Sequence, residues 1–142
     1  MSRGKPTPRQ LIDDRMCFAC GKLNPDGLHL EFEPRGDGIA TTIAFPKKFQ
    51  GYRDVVHGGL LSTVLDETMV TLLNEKGLHA VTGELTVRFL RPVPVGERVE
   101  VTAELGGHRG RVYTVTAEAT LEDGTVAARA ESRCVALGTI SG

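Results

Sequence analysis

The chain has 142 residues, 40% of them hydrophobic and 25% charged, and a formal net charge of -1. That is the size and make-up of one ordinary globular domain, and a balance so close to neutral gives no footing for bulk nucleic-acid binding. The longest apolar runs fall well short of the ~20 residues that a membrane-spanning helix needs.

Residues 1–9, with Pro6 and Pro8, show no apolar signal region and read as a disordered start to a cytoplasmic protein. Three cysteines cannot all pair, which fits a reducing compartment. The sequence divides into an N-terminal tail, 1–16, and one domain, 17–138. Leu11 to Met16 reads as a short helix, and the run from Cys17 to Gly27 is rich in turn residues. Leu28, Leu30 and Phe32 alternate with His29, Glu31 and Glu33, the pattern of a half-buried strand. Pro34 to Gly38 reads as a hairpin loop, followed by a strand with Ile39, Thr41, Ile43 and Phe45 on one face.

The single long helix is expected from Gly58 to Lys76. Leu61, Val64, Leu65, Thr68 and Leu72 follow helical spacing, and Gly77 suits a C-terminal cap. Four strand-like segments come next, Ala80–Arg91, Glu97–Leu105, Arg111–Leu121 and Val126–Leu137, joined at 92–96, 106–110 and 122–124. The fold class is therefore α+β: a long central helix wrapped by a five- or six-stranded antiparallel sheet. One such layer leaves strand edges and part of the helix uncovered, and pairing two copies would cover them.

His57-Gly58-Gly59 opens the helix, and Asp66 lies inside it. A helix start carries unpaired N–H groups and positive potential, which suits an anion or oxyanion. Glycine there lets a ligand approach the backbone. Asp66 stands about two turns further on at ~3.6 residues per turn, so a base or nucleophile and an oxyanion donor are expected to share one pocket.

His57-Gly58-Gly59 followed by Asp66, with Cys17-Phe18-Ala19-Cys20-Gly21, Asn24-Pro25-Asp26-Gly27-Leu28, Phe49-Gln50-Gly51 and Arg88-Phe89-Leu90-Arg91-Pro92 around them, resembles the hotdog-fold acyl-CoA thioesterases, in particular the PaaI-like branch. The resemblance spans roughly residues 17 to 137. It implies hydrolysis of an acyl-CoA thioester, a homodimer or homotetramer with active sites between subunits, and no metal or redox cofactor, coenzyme A being part of the substrate.

By the same resemblance, Asp66 matches the catalytic carboxylate, acting as general base or nucleophile, and the Gly58 N–H matches the oxyanion donor. Gly59 permits close packing at the helix start; His57 is a candidate general base by its chemistry, and the resemblance gives it the role of shaping the loop and hydrogen-bonding nearby. Thr82 matches a residue that helps to hold the attacking water, and Gln50 corresponds to a polar residue near the carbonyl. Ser62, one turn before Asp66, is placed to hydrogen-bond it and lacks the surroundings of a nucleophile. Glu67 points ~100° away from Asp66 and reads as an ion-pair or interface residue. For the phosphates of coenzyme A the candidates are Arg88, Arg91, Arg109 and Arg111, with Lys47 and Lys48 outside the core.

Cys17 and Cys20 form one CxxC. A structural zinc site usually needs four ligands, the spare soft ligands are His29 and Cys134, and no second CxxC exists. The resemblance implies instead a packed turn beside the active site, and no metal is expected.

Two rival readings remain. A hotdog hydratase or dehydratase pairs a carboxylate with a histidine, and no such spacing is seen here. A non-catalytic acyl-CoA-binding module usually carries a DNA-binding segment, for which 24 N-terminal residues are too few.

Overall fold

The computed structural model describes residues 11–139; the tail expected at 1–9 lies outside the described residues. Its elements are β1 (Glu33–Arg35), β2 (Gly38–Ala44), a single 3-10 turn (Lys47–Phe49), α1 (Gly58–Glu75), β3 (Leu78–Phe89), β4 (Arg98–Arg109), β5 (Val112–Leu121) and β6 (Val126–Thr139). The strands make one antiparallel sheet in the order β1-β2-β4-β5-β6-β3. The helix and β3 come between β2 and β4 in sequence, so β3 crosses to the far edge.

The helix lies on one face of this sheet and packs against β2 through β6. Leu61, Val64, Leu65, Thr68, Met69, Leu72 and Leu73 are buried beneath it, at the spacing that the sequence prescribes. The sheet meets them with small side chains: Ala103 on β4, Ala117 and Ala119 on β5, and Ala128 and Ala130 on β6 are all buried. Short side chains there let the wide α1 side chains sit close to the sheet, which favours dense packing. The two buried hydroxyls beside the helix are satisfied. Thr68 Oγ1 donates to the Val64 carbonyl at 2.7 Å and Ser132 Oγ to Met69 Sδ at 3.4 Å. Both helix ends carry a sequence signal. His57 Nδ1 accepts from the Gly59 N–H at 3.0 Å, and Gly77 takes φ 85 just past the last turn, where a Cβ would be strained.

Three local expectations need correction. Residues 11–16 form no helix. The side chains of Asp13 and Asp14 take the N–H groups of Arg15 and Met16 at 2.8 and 3.1 Å, and Arg15 sits at φ 68; local side-chain bonding of this kind competes with a helix. Residues 28–32 are not a strand, because His29 adopts φ 54. Leu28 and Leu30 donate instead to the carbonyls of Phe18 and Ala19, so the segment packs on the CxxC turn, and Pro34 and Arg35 belong to the short edge strand rather than to a loop. Finally, 106–110 is not a connection. β4 continues through it with a bulge at Gly106, and the chain reverses at Gly110 and Arg111.

Candidate active site

Asp66 projects from α1 toward β3. Thr82 Oγ1 donates to Asp66 Oδ1 at 2.6 Å, and both residues are half-buried. The register of β3 against β6 slips between Thr82 and Glu84, leaving Gly83 as a bulge. Bulges re-aim the neighbouring side chain, and here Thr82 faces the helix while Thr86 and Arg88 line the opposite face of the sheet. The sequence expectation paired Thr82 with water; the structure pairs it with the carboxylate itself. Ser62 does not reach Asp66. Its Oγ donates back to the Gly58 carbonyl at 3.0 Å.

The helix start makes a second group. Among the described residues the Gly58 N–H has no hydrogen-bond partner, as expected of a first helical residue. Gly58 and Leu61 line an apolar cleft of about 330 Å³ with Val55, Val56, Phe89, Leu90, Arg91, Pro92 and Val93. On its other side Gly58 borders a wider cleft, about 600 Å³, with Gln50, Tyr52 and His57. Gln50 Oε1 accepts from the Asp54 N–H at 2.9 Å, so its carbonyl shapes the loop while its amide N–H groups remain to donate. His57 spends Nδ1 on Gly59, a loop-shaping role.

Asp66 lines neither cleft. It stands eight residues beyond Gly58, roughly 12 Å along the helix axis. Within one chain the carboxylate and the oxyanion donor therefore line no common cleft.

The four arginines scatter. Arg88 faces a polar trough across β3, β4, β5 and β6 with Glu104, Glu118, Arg129 and Glu131. Arg91 borders the Gly58 cleft. Arg109 lies beside Arg133 and His108 in an open hollow, and Arg111 occupies the turn just outside it. Arg133 was not visible as a companion because β6 brings it there from 24 residues away. Lys47 pairs with Asp54 at 2.9 Å, and Lys48 rests over the Phe49 ring.

Glu67 makes no ion pair among the described residues. It turns instead to the N-terminal segment, where the Cys17 thiol lies 4.0 Å from Glu67 Oε2. Burial, then the hydrogen bond and negative charge of Glu67, then Cys17, push the Cys20 thiol well above the usual range.

The family model of the thioesterase superfamily matches residues 54–128, over half of the chain. The chain belongs to the thioesterase superfamily. The match starts just before the helix-opening glycines and runs into β6, so it contains Gly58, Asp66 and Thr82. No curated protein matches. Among solved structures, a thioesterase superfamily protein is 25% identical over 85% of this chain, with a TM-score of 0.80. This chain spans 60% of that protein's length.

The Escherichia coli PaaI protein from the phenylacetic acid degradation operon is 22% identical, covering 80% of this chain and 84% of its own, with a TM-score of 0.74. A hypothetical thioesterase of Streptococcus pneumoniae, solved with coenzyme A, is 20% identical, covering 79% and 88%, with a TM-score of 0.74. That protein was also solved as two alanine variants, one of an Asp and one of a Thr sixteen positions later. These likenesses establish the hotdog fold: one helix against a six-stranded antiparallel sheet, shared with PaaI. No helix among the described residues is long and apolar enough to cross a membrane.

Proposed function

We propose that this member of the thioesterase superfamily hydrolyses the thioester of an acyl-CoA to a free acid and coenzyme A. The observation that carries the reading is the 2.6 Å bond from Thr82 to the Asp66 carboxylate. A carboxylate held in one orientation and half-buried on the helix is suited to take a proton from water or to attack a carbonyl carbon. The Asp and Thr replaced in the Streptococcus pneumoniae protein have the same sixteen-residue separation as Asp66 and Thr82, which supports treating the pair as one unit.

The Gly58 N–H then supplies the oxyanion donor. Because Asp66 and Gly58 of one chain are roughly 12 Å apart along the helix, the reading requires a second copy, with Asp66 of one subunit facing Gly58 of the other. Among the described residues the outer edge of β3 has no strand partner, and Val81, Phe89 and Leu90 are exposed along and just beyond it, so this edge is suited to meet another copy. In the general-base form, Asp66 accepts a proton from water, the hydroxide adds to the carbonyl carbon, and the C–S bond breaks to release the coenzyme A thiolate, which is then protonated. No cofactor enters these steps. The apolar walls at Val55, Val56, Leu61 and Phe89 suit the acyl or pantetheine chain, and Arg91 at their rim, with Arg109 and Arg111 as further candidates, suits the phosphates.

The test is free-thiol release from a panel of short, long and aromatic acyl-CoAs, with wild type and Asp66→Ala side by side. Release that disappears in the variant supports the reading. Full release from Asp66→Ala overturns the mechanism, and none from wild type on any chain overturns the activity.

A further inference from the structure

The turn at Cys17–Gly21 is built more tightly than a packed loop needs. Gly21 N–H donates to the Cys17 carbonyl at 2.8 Å and Leu23 N–H to the Arg15 carbonyl at 2.9 Å, so the chain doubles back across the CxxC. A Cβ on Gly21 would collide with Cys17 N and stand 2.6 Å from the Arg15 carbonyl oxygen; only glycine closes this turn. Ala19, buried at its tip, anchors it to the core. The fold then brings it against α1, and the thiols of Cys17 and Cys20 and a carboxylate oxygen of Glu67 all lie within 4.8 Å of one another. All three residues are half-buried.

We propose that Cys17, Cys20 and Glu67 bind a soft divalent cation, zinc by their chemistry, with water in the fourth position. Zinc takes thiolate at about 2.3 Å and carboxylate oxygen at about 2.0–2.2 Å, which in a tetrahedron sets ligand atoms roughly 3.4–3.8 Å apart. Cys17 Sγ and Glu67 Oε2 stand 4.0 Å apart and no separation among the three atoms exceeds 4.8 Å, a gap of at most about 1 Å from the zinc spacing that side-chain rotation would have to close. Two features favour a cation over a plain polar contact. Glu67 has no Lys or Arg partner among the described residues, and the 4.0 Å separation of Cys17 Sγ from Glu67 Oε2 makes a weak hydrogen bond.

On binding, each thiol gives its proton to solvent, so one M²⁺ enters, two protons leave, and the site carries a net charge of one minus. The soft ligands that the sequence offered are both engaged elsewhere. Cys134 is buried beside Ser132, and the His29 ring is bonded to the Asn24 carbonyl. The third ligand comes from the helix, 47 residues after Cys20, where no spacing rule would find it. The cation would fasten the N-terminal segment to α1 at the residue next to Asp66. This inference is independent of the thioesterase reading.

The test is Co²⁺ titration of the reduced full-length protein after chelation, read by the thiolate-to-cobalt charge-transfer absorption, with zinc content of the untreated protein measured in parallel. The expected result is one metal per chain and a charge-transfer band that zinc displaces. Cys17→Ser and Cys20→Ser each abolish the band. Glu67→Gln, on a half-exposed helix face and so compatible with the fold, weakens affinity at least about tenfold, the loss that even an outer partner of a metal ligand brings. Sub-stoichiometric metal with no band overturns the proposal. So does a band that survives Cys20→Ser, an unchanged affinity in Glu67→Gln, or recovery of Cys17 and Cys20 as a disulfide in place of metal.

Discussion

Replacing Thr82 by Val removes one hydroxyl and nearly preserves shape. What is lost is the 2.6 Å bond from Thr82 Oγ1 to Asp66 Oδ1. A hydrogen bond to a charged group contributes about 1.5–3 kcal/mol. If that orientation is needed in the transition state, thiol release falls by roughly 10- to 150-fold, at about 1.36 kcal/mol per tenfold. Asp66→Asn keeps an oxygen for Thr82 to bond and removes the charge, and is expected to cost at least ~10²-fold, the range for a lost acid–base group. The two changes act on one unit, so Thr82→Val placed on Asp66→Asn should cost under about threefold more. Stability is followed in parallel, because a loss of about 1.5–3 kcal/mol lowers Tm by about 5–15 °C in a domain of this size, and rates are compared only where the variant is folded. The measurement is initial-rate thiol release for all four proteins on the best acyl-CoA of the panel. Thr82→Val within twofold of wild type, or an equal fold-loss in both backgrounds, would refute the idea that Thr82 acts through the carboxylate.

In Gly58→Ala the new methyl group meets the Phe89 ring at 3.4 Å, an ordinary contact, so Tm should hold within about 2 °C while thiol release falls at least ~10-fold as the carbonyl is kept from the N–H; unchanged turnover would remove Gly58 from the mechanism. Leu65 is fully buried under the helix, and Leu65→Ala should lose about 2–5 kcal/mol in urea unfolding, a loss below about 1 kcal/mol showing that the helix is not gripped as described. The Arg35 guanidinium hydrogen-bonds Glu100 and holds its carboxyl below the usual carboxylate range. A depressed folded-state value stabilises above the unfolded value and is lost as pH falls through the folded one, so wild type should exceed Glu100→Gln in stability at about pH 7, and the difference should shrink as pH falls below the ordinary Glu value of about 4.3. A difference that persists in acid would count against the pair.

Local signals were enough for much of this molecule. The 3.6-residue recurrence of Leu61, Val64, Leu65, Thr68 and Leu72 gave the helix and its buried face, and alternation with turn residues gave five of the six strands, β2 to β6, to within a few positions, because a side chain's face depends only on its own element's period. The candidate carboxylate, the helix-opening glycines and the family were legible for the same reason: each is a short run of residue types whose chemistry is local. Errors arose where backbone competition is decided by single side chains, at Asp13 and Asp14, or by one residue in a left-handed conformation, at His29.

What only the tertiary structure decided is every relation across elements. β3 travels to the far edge of the sheet and its Gly83 bulge turns Thr82 onto Asp66, so sixteen residues of sequence become a 2.6 Å bond. Glu67, an ion-pair or interface residue when read along the chain, meets two cysteines about fifty residues upstream because the N-terminal turn docks on α1. Periodicity carries no information about which distant segment lies against a given face; packing of the whole core fixes that.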